Sequence, residues 1–230
     1  MLRVAAVAND NTRPQAHSLP IMPAKIISAQ ELERRSREGS VQIFDCRFAL
    51  NDPVAGRAAY EGSHIPGATY VDLEKDLSDS VAPDTGRHPL PDFATWRERL
   101  LTLGVDRDSA VVLYDAGPGV FAARFWWMLV WAGIPDVMVL DGGFAEWCRL
   151  ELALETEEPL HGVTPLAESG LSDSEHAPYV DAEFLMTNLA APDFLVLDAR
   201  EAERFSGLKE PLDKKAGCIP GSLNRHFALN

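Results

Sequence analysis

One short loop combines a residue that could do chemistry with a place in the chain where chemistry is often found. The β-rich run 111–114 enters the turn Asp-Ala-Gly-Pro-Gly at 115–119, and the chain leaves it as an apolar segment of helix length. Ligands of parallel α/β sheets lie beyond the carboxyl ends of the strands, and amides at a helix start favour an anion. Asp115 is therefore the residue best placed for chemistry. The plainer alternative is that its carboxylate caps the helix.

Three cysteines are the other candidate groups for chemistry. Cys46 follows a β-rich run, Cys148 lies within a predicted helix, and Cys218 belongs to a turn motif. They are too few and too far apart for a disulfide framework or a zinc site, and we expect no metal and no cofactor. We expect Cys46 and Cys148 to pack in the core and Cys218 to be a buried, unreactive thiol.

A βαβ unit must position the 115–119 loop. The segment that follows the loop has apolar residues at helical spacing and a single charge, Arg124, which predicts a largely buried helix. A second β-rich run at 137–140 closes with Asp-Gly-Gly at 141–143. Strand, helix and strand at this spacing predict neighbouring parallel strands.

The remaining elements are predicted from composition and capping signals along the chain. Residues 1–24 lack periodicity and are interpreted as a mobile N-terminal arm. Helices are predicted at 29–38, 93–103, 144–154 and 179–189, a strand at 41–44, a polar glycine-punctuated loop up to residue 63, a long loop at 71–92, and a linker at 155–178.

An internal repeat relates the two ends of the chain. Asp198 lies 153 residues after Asp45, and Pro220 lies 154 residues after Pro66, so the register holds. Asp115 follows Pro66 by 49 residues, which would put the equivalent loop of the second copy near residue 269. We therefore expect residues 179–230 to be an incomplete domain, with the strand at 194–197 left at an open sheet edge.

The composition of the chain limits the classes of partner it can bind and indicates the cellular compartment in which it works. The chain has 230 residues and a formal net charge of −14, which argues against nucleic acid and anionic membranes as partners. Its sequence contains no apolar run long enough to span a membrane. A cytoplasmic, reduced protein is expected.

Six motifs together resemble the two-domain sulfurtransferases of the rhodanese and 3-mercaptopyruvate sulfurtransferase family. They are HIPGA at 64–68, GRHPLP at 86–91, YDAGPGVFAARFWWML at 114–129, LDGGFAEW at 140–147, LDAREAERFSG at 197–207 and AGCIPGS at 216–222. The resemblance implies tandem α/β rhodanese-like domains, each a central parallel sheet flanked by helices. The non-catalytic domain would be 25–154, and 179–230 would be the first part of a catalytic-type domain.

The resemblance also implies roles for three residues. The family carries a nucleophilic cysteine in the second domain's loop and usually aspartate in the first, so Asp115 matches the non-catalytic position. The nucleophile is expected beyond residue 230. Arg204, in an Arg-Phe step, matches the family's substrate arginine, with an ordinary ion pair as the alternative. His64 of HIPGA would assist catalysis, as proposed for some relatives, or simply hydrogen-bond within its turn.

The function implied is transfer of a sulfane sulfur from a small anionic donor, thiosulfate or 3-mercaptopyruvate, to cyanide or a thiol through a cysteine persulfide. The present chain alone is expected to be inactive. The choice of donor stays open, because Glu210–Pro211 is followed by Leu212 and not by the second arginine typical of mercaptopyruvate enzymes. The alternative is a non-enzymatic rhodanese-like binding or regulatory module. Phosphatases that share the fold need a cysteine at the start of the loop and are set aside.

Overall fold

The computed structural model describes residues 3–6, 24–105, 107–157, 179–191 and 194–229. They divide into two compact units. The first unit contains the described residues from 24 to 157. The second contains strand β1 (Arg3–Ala6) and the described residues from 179 onward.

Five parallel strands form the sheet of the first unit, in the order β2-β6-β5-β3-β4. The strands are β2 (Lys25–Ile27), β3 (Val41–Asp45), β4 (Ala68–Tyr70), β5 (Ala110–Tyr114) and β6 (Val137–Leu140). The helices are α1 (Ala29–Arg37), α2 (Ala55–Gly62), α3 (Phe93–Thr102), α4 (Val120–Trp131) and α5 (Gly143–Arg149). This is the α/β class expected, and the predicted parallel βαβ unit is confirmed as β5, α4 and β6. Among the described residues, no helix has the length and apolar character needed to cross a membrane.

The core is centred on β5 and on the inner face of α4. Residues 111–114 of β5 are fully buried, as are Phe125 and Met128 of α4. The Trp96 indole of α3 is buried as well, and its Nε1–H donates to the Met128 carbonyl over 2.9 Å. Central parallel strands are covered on both faces, which explains why β5 is apolar without alternation.

The single charge of α4 secures the long loop at 71–92. The Arg124 guanidinium donates to the carbonyl oxygens of Leu77 (2.7 Å) and Pro89 (3.3 Å). Burial lowers the pKa of Arg124 to about 10. The loop has no helix or strand of its own, as expected, and this partly buried cation links two of its segments, at Leu77 and Pro89.

Helix α2 corrects the prediction of a loop up to residue 63. Gly56 made the segment look like a turn, but a Cβ there would lie 2.2 Å from the Arg47 carbonyl oxygen and 2.6 Å from the Tyr70 hydroxyl. Glycine is therefore needed for close packing and does not interrupt the helix. Strands β2 and β4, of three residues each, were also not predicted, because so short a run carries no pattern.

The second unit contains a three-stranded sheet in the order β1-β7-β8. Its elements are α6 (Ala182–Asn188), β7 (Phe194–Asp198), α7 (Ala202–Phe205), β8 (Leu223–Asn224) and a 3₁₀ turn at Phe227–Leu229. Strand β8 pairs with β7 in parallel, as β4 pairs with β3 in the first unit.

Strand β1 corrects two expectations. It pairs antiparallel with β7, from Arg3 opposite Leu197 to Ala6 opposite Phe194, on the edge that corresponds to the β5 side of β3. The edge of β7 is therefore not open, and this sheet is mixed, not wholly parallel. The segment interpreted as an arm contains this strand, which its composition did not predict. Most of the predicted linker, at 158–178, lies outside the described residues.

Candidate functional site

The loop at 115–119 folds around the carboxylate of Asp115, which is almost fully buried. Its Oδ1 accepts from the backbone N–H groups of Gly117 (3.0 Å) and Gly119 (2.9 Å). Its Oδ2 accepts from the N–H of Phe121 (3.0 Å), in the first turn of α4. The carboxylate thus caps the helix, as the plainer alternative held, and fills a cradle of converging amides. Any anion at this place would be held by the same donors.

The turn after β6 packs against the backbone of this loop. The Phe144 N–H donates to the Asp115 carbonyl over 2.8 Å. Gly143 has a φ of +57°, and a Cβ there would lie 2.6 Å from the Asp115 carbonyl oxygen and 2.9 Å from Gly117. The Asp-Gly-Gly motif at 141–143 is therefore required for the close approach of two backbone segments.

His64 is completely buried in the turn that follows α2. Its Nδ1 lies 2.8 Å from the Tyr60 carbonyl oxygen, which can only accept, so Nδ1 carries the proton. The imidazole stacks on the Tyr60 ring at 3.9 Å, and its Nε2 lies 3.5 Å from the Glu155 carboxylate. His64 and Glu155 also exchange two backbone hydrogen bonds. These contacts match those of a structural turn residue.

A buried ion pair at the end of β3 was not singled out from the sequence. The Asp45 carboxylate accepts from the Arg47 backbone N–H (2.9 Å) and side chain, and from the Tyr114 hydroxyl (2.7 Å). The Arg47 guanidinium also donates to the Ser63 carbonyl over 2.7 Å. Burial and the neighbouring Asp45 charge raise the pKa of the Tyr114 phenol well above its usual value. The recurrence of Asp-x-Arg in both copies was the available signal for this pair.

The second unit repeats that ion pair. Asp198 accepts from the Arg200 backbone N–H over 2.9 Å, and the Arg200 guanidinium donates to the Gly217 carbonyl over 2.7 Å. Burial alone would raise the pKa of Asp198, but its hydrogen bonds from Arg200 hold that pKa below the usual value. In both units the arginine therefore ties the end of a strand to the Ile-Pro-Gly turn.

Arg204, the predicted substrate residue, lies in α7 and contacts two carboxylates. Its Nε is 3.1 Å from both oxygens of Glu210, and its Nη2 is 2.7 Å from Asp213 Oδ2. Glu210 is also 3.5 Å from Arg200 Nη1. Burial would raise the pKa of Glu210, but the hydrogen bonds from Arg204 and from two backbone amides keep it below the usual value.

The cysteines depart in part from expectation. Cys46 is buried, as expected, and burial together with the nearby Asp45 charge raises the pKa of its thiol. Cys148 and Cys218 are exposed, so the prediction that they are buried was wrong. Cys148 lies on the outer side of α5, next to the buried Trp147. Cys218 is the counterpart of His64 in the internal repeat. In the first unit helix α2 precedes and covers His64, whereas in the second unit the described residues just before Cys218 form turns.

None of the three cysteines begins a helix. In the described residues, therefore, no thiol shares the position that Asp115 holds in the first unit.

Comparisons with known proteins agree on one group of relatives. The family described as rhodanese-like domain matches residues 28–150. A probable 3-mercaptopyruvate sulfurtransferase of Pseudomonas aeruginosa is 46% identical over 90% of this chain and 72% of its own length. A putative thiosulfate sulfurtransferase, SseB, of Mycobacterium tuberculosis is 38% identical over 86% of this chain and 69% of its own length.

A solved structure shows the same fold. The 3-mercaptopyruvate sulfotransferase SseA of Escherichia coli superposes with a TM-score of 0.73 at 31% identity, covering 89% of this chain and 76% of that one.

Proposed function

The chain belongs to the rhodanese-like sulfurtransferase family, and from this premise we propose that it transfers a sulfane sulfur from thiosulfate or 3-mercaptopyruvate to cyanide or a thiol. The observation that carries the proposal is the 46% identity to the Pseudomonas relative across 90% of the chain. The persulfide-forming cysteine is proposed to lie outside residues 1–230. We also propose a reducing, cytoplasmic location for the protein. The three cysteines of residues 1–230, none of them in a disulfide, agree with this proposal.

The amide cradle in the first unit supports a mechanism for the second. There, Asp115 is held by the N–H groups of its loop and of the first turn of α4. A cysteine in the equivalent loop would be held in the same way, and amides at a helix start lower the pKa of a thiol. The thiolate would attack the outer sulfur of thiosulfate, and sulfite would leave with the electrons of the S–S bond. Cyanide would then attack the outer sulfur of the persulfide, releasing thiocyanate and restoring the thiolate.

Arg204 is proposed to bind the anionic group of the donor. A guanidinium can offer two parallel N–H donors to a sulfonate or carboxylate, which orients the donor as well as binding it. His64 lies in a hydrogen-bonded turn and stacks on Tyr60. Its proposed contribution is to hold the turn, and an assisting role in proton transfer is the second possibility to be tested by substitution.

Thiocyanate formation from thiosulfate and cyanide tests the proposal. Residues 1–230 should be inactive, whereas the chain extended through its natural continuation should be active. Activity of residues 1–230 that disappears in Cys218→Ser would overturn the assignment of the nucleophile, since Cys218 is exposed.

A non-enzymatic module is the second candidate, favoured by the lack of a helix-start cysteine among the described residues. The gene downstream of Asn230 separates the two. A further strand, a loop that begins with cysteine and a helix would favour the enzyme, and an immediate stop codon would favour the module.

A further inference from the structure

The contacts of Arg204 have no counterpart in the first unit, although the neighbouring ion pair does. Asp198 and Arg200 repeat the geometry of Asp45 and Arg47. The residue 153 positions before Arg204 is Asn51, an exposed residue in a turn. The first unit folds without such a cluster, so the cluster formed by Arg204, Glu210 and Asp213 is a feature of the second unit alone among the described residues.

The two carboxylates on Arg204 are held differently. Glu210 is buried, with only 4% of its side chain exposed, and its Oε1 accepts from the N–H groups of Leu212 and Asp213 at 3.0 Å. It therefore shapes the turn as well as pairing with both arginines. The Asp213 side chain is 46% exposed and meets Arg204 at Nη2. Glu210 belongs to the frame of the cluster, while Asp213 lies at its surface.

The charges of the cluster do not require Asp213. Asp198 and Glu210 already balance Arg200 and Arg204, and Asp213 adds a third negative charge against two positive ones. An exposed ion pair of this kind contributes little to stability. Its effect on a ligand is larger, because any anion that approaches Arg204 Nη2 meets a carboxylate at 2.7 Å from the same donor.

We propose that Asp213 is a specificity-determining residue that occupies the donor site on Arg204 and must be displaced by the donor's anionic group. The inference rests on the proposed function of Arg204. The displaced Asp213 carboxylate stays close to Arg204 and repels an oxyanion of two negative charges more strongly than one of a single charge. The cluster therefore favours a monocarboxylate such as 3-mercaptopyruvate over a dianion such as thiosulfate.

The Asp213→Asn variant tests this in two assays. In the protein extended through its natural continuation, the KM for thiosulfate should fall three- to tenfold, or about 0.7 to 1.4 kcal/mol, with kcat within twofold of wild type. The KM for 3-mercaptopyruvate should fall by a smaller factor, because a ligand of one negative charge is repelled less by the Asp213 carboxylate than thiosulfate is. In residues 1–230, thiosulfate titration followed at the Arg204 Nε–H NMR signal should show tighter binding by a similar factor.

Glu203→Gln is the matched control, since it removes one negative charge from the same helix and Glu203 contacts Lys209 instead. Equal KM and affinity in wild type and Asp213→Asn would overturn the inference, and so would an equal gain in the Glu203→Gln control. If no variant transfers sulfur but Asp213→Asn still binds thiosulfate more tightly, the proposed function fails and the assignment of Asp213 stands.

Discussion

A carboxylate of the chain itself occupies the place in the first unit where this fold could hold an external anion. Asp115 accepts three hydrogen bonds of 2.9–3.0 Å from amides that converge on one point. The same geometry explains why a thiolate would suit that place and why this loop cannot transfer sulfur, since a carboxylate cannot form a persulfide. We propose that residue type, on a similar backbone, distinguishes this supporting loop from the catalytic loop of the second domain.

We expect Asp115→Ala to destabilise the first unit by about 2–3 kcal/mol, because it strips buried amides of their acceptor. Urea unfolding followed by tryptophan fluorescence measures this, and Asp84→Ala, at an exposed loop position, is the control. Sulfate should raise the unfolding midpoint of Asp115→Ala more than that of wild type, because the vacated cradle binds the anion. An identical sulfate effect on both proteins would contradict an anion-binding cradle.

At the scale of elements, the helix α2 shows how a residue can be misinterpreted when its neighbours in space are unknown. Gly56 leaves no room for a side chain, whereas a Cβ at Gly62, at the end of the same helix, would meet no atom within 4 Å. One glycine is required by packing and the other is not. The sequence alone presents both as signals for a loop.

The pair Gly56→Ala and Gly62→Ala turns this difference into a measurement. Gly56→Ala should destabilise the first unit by about 2–3 kcal/mol, since its Cβ would clash with the Arg47 carbonyl and force the backbone to shift. Gly62→Ala should stabilise it by about 0.4–1 kcal/mol by restricting the unfolded chain. The urea unfolding midpoints of the two variants measure these changes in stability. Equal shifts of the midpoint in the same direction would show that helix propensity, and not packing, dominates at both positions.

Elements with a strong local signal could be predicted, and those set by distant contacts could not. The apolar runs of β5 and β6 and the buried helix α4 were identified correctly because burial on both faces leaves an unmistakable composition. Strand β1 depends on pairing with β7, almost two hundred residues away in the sequence, and no local pattern announces it. Whether such a short segment forms a strand is determined by its tertiary pairing and not by its own sequence.

The candidate site follows the same division. The cap formed by Asp115 could be anticipated, because helix starts attract carboxylates for electrostatic reasons. The contact of Asp213 with Arg204 could not, because it requires the turn that Glu210 builds from its own hydrogen bonds. Sequence reasoning selected Arg204 as a candidate substrate residue but did not predict its contact with Asp213.

At the scale of the whole molecule, the two units differ in how much apolar surface they bury. Among residues 179–191 and 194–229, Val196 is the one buried apolar side chain, whereas residues 24–157 contain many. Several large apolar side chains of the second unit are exposed, including Met186 (72%), Leu208 (84%) and Leu223 (55%). Because buried apolar area provides most of the stability of a small unit, the second should be much the less stable.

Limited proteolysis should therefore cut between residues 155 and 178 and then remove the C-terminal piece, while a fragment of the first unit persists. All five tryptophans lie between residues 96 and 147, so their fluorescence reports the first unit alone and should stay native after the C-terminal piece has gone. Mass spectrometry at successive times of digestion measures how long the fragment of each unit survives. Survival of the C-terminal piece for as long as the first unit would mean that contacts outside the described residues supply the apolar burial that the second unit lacks.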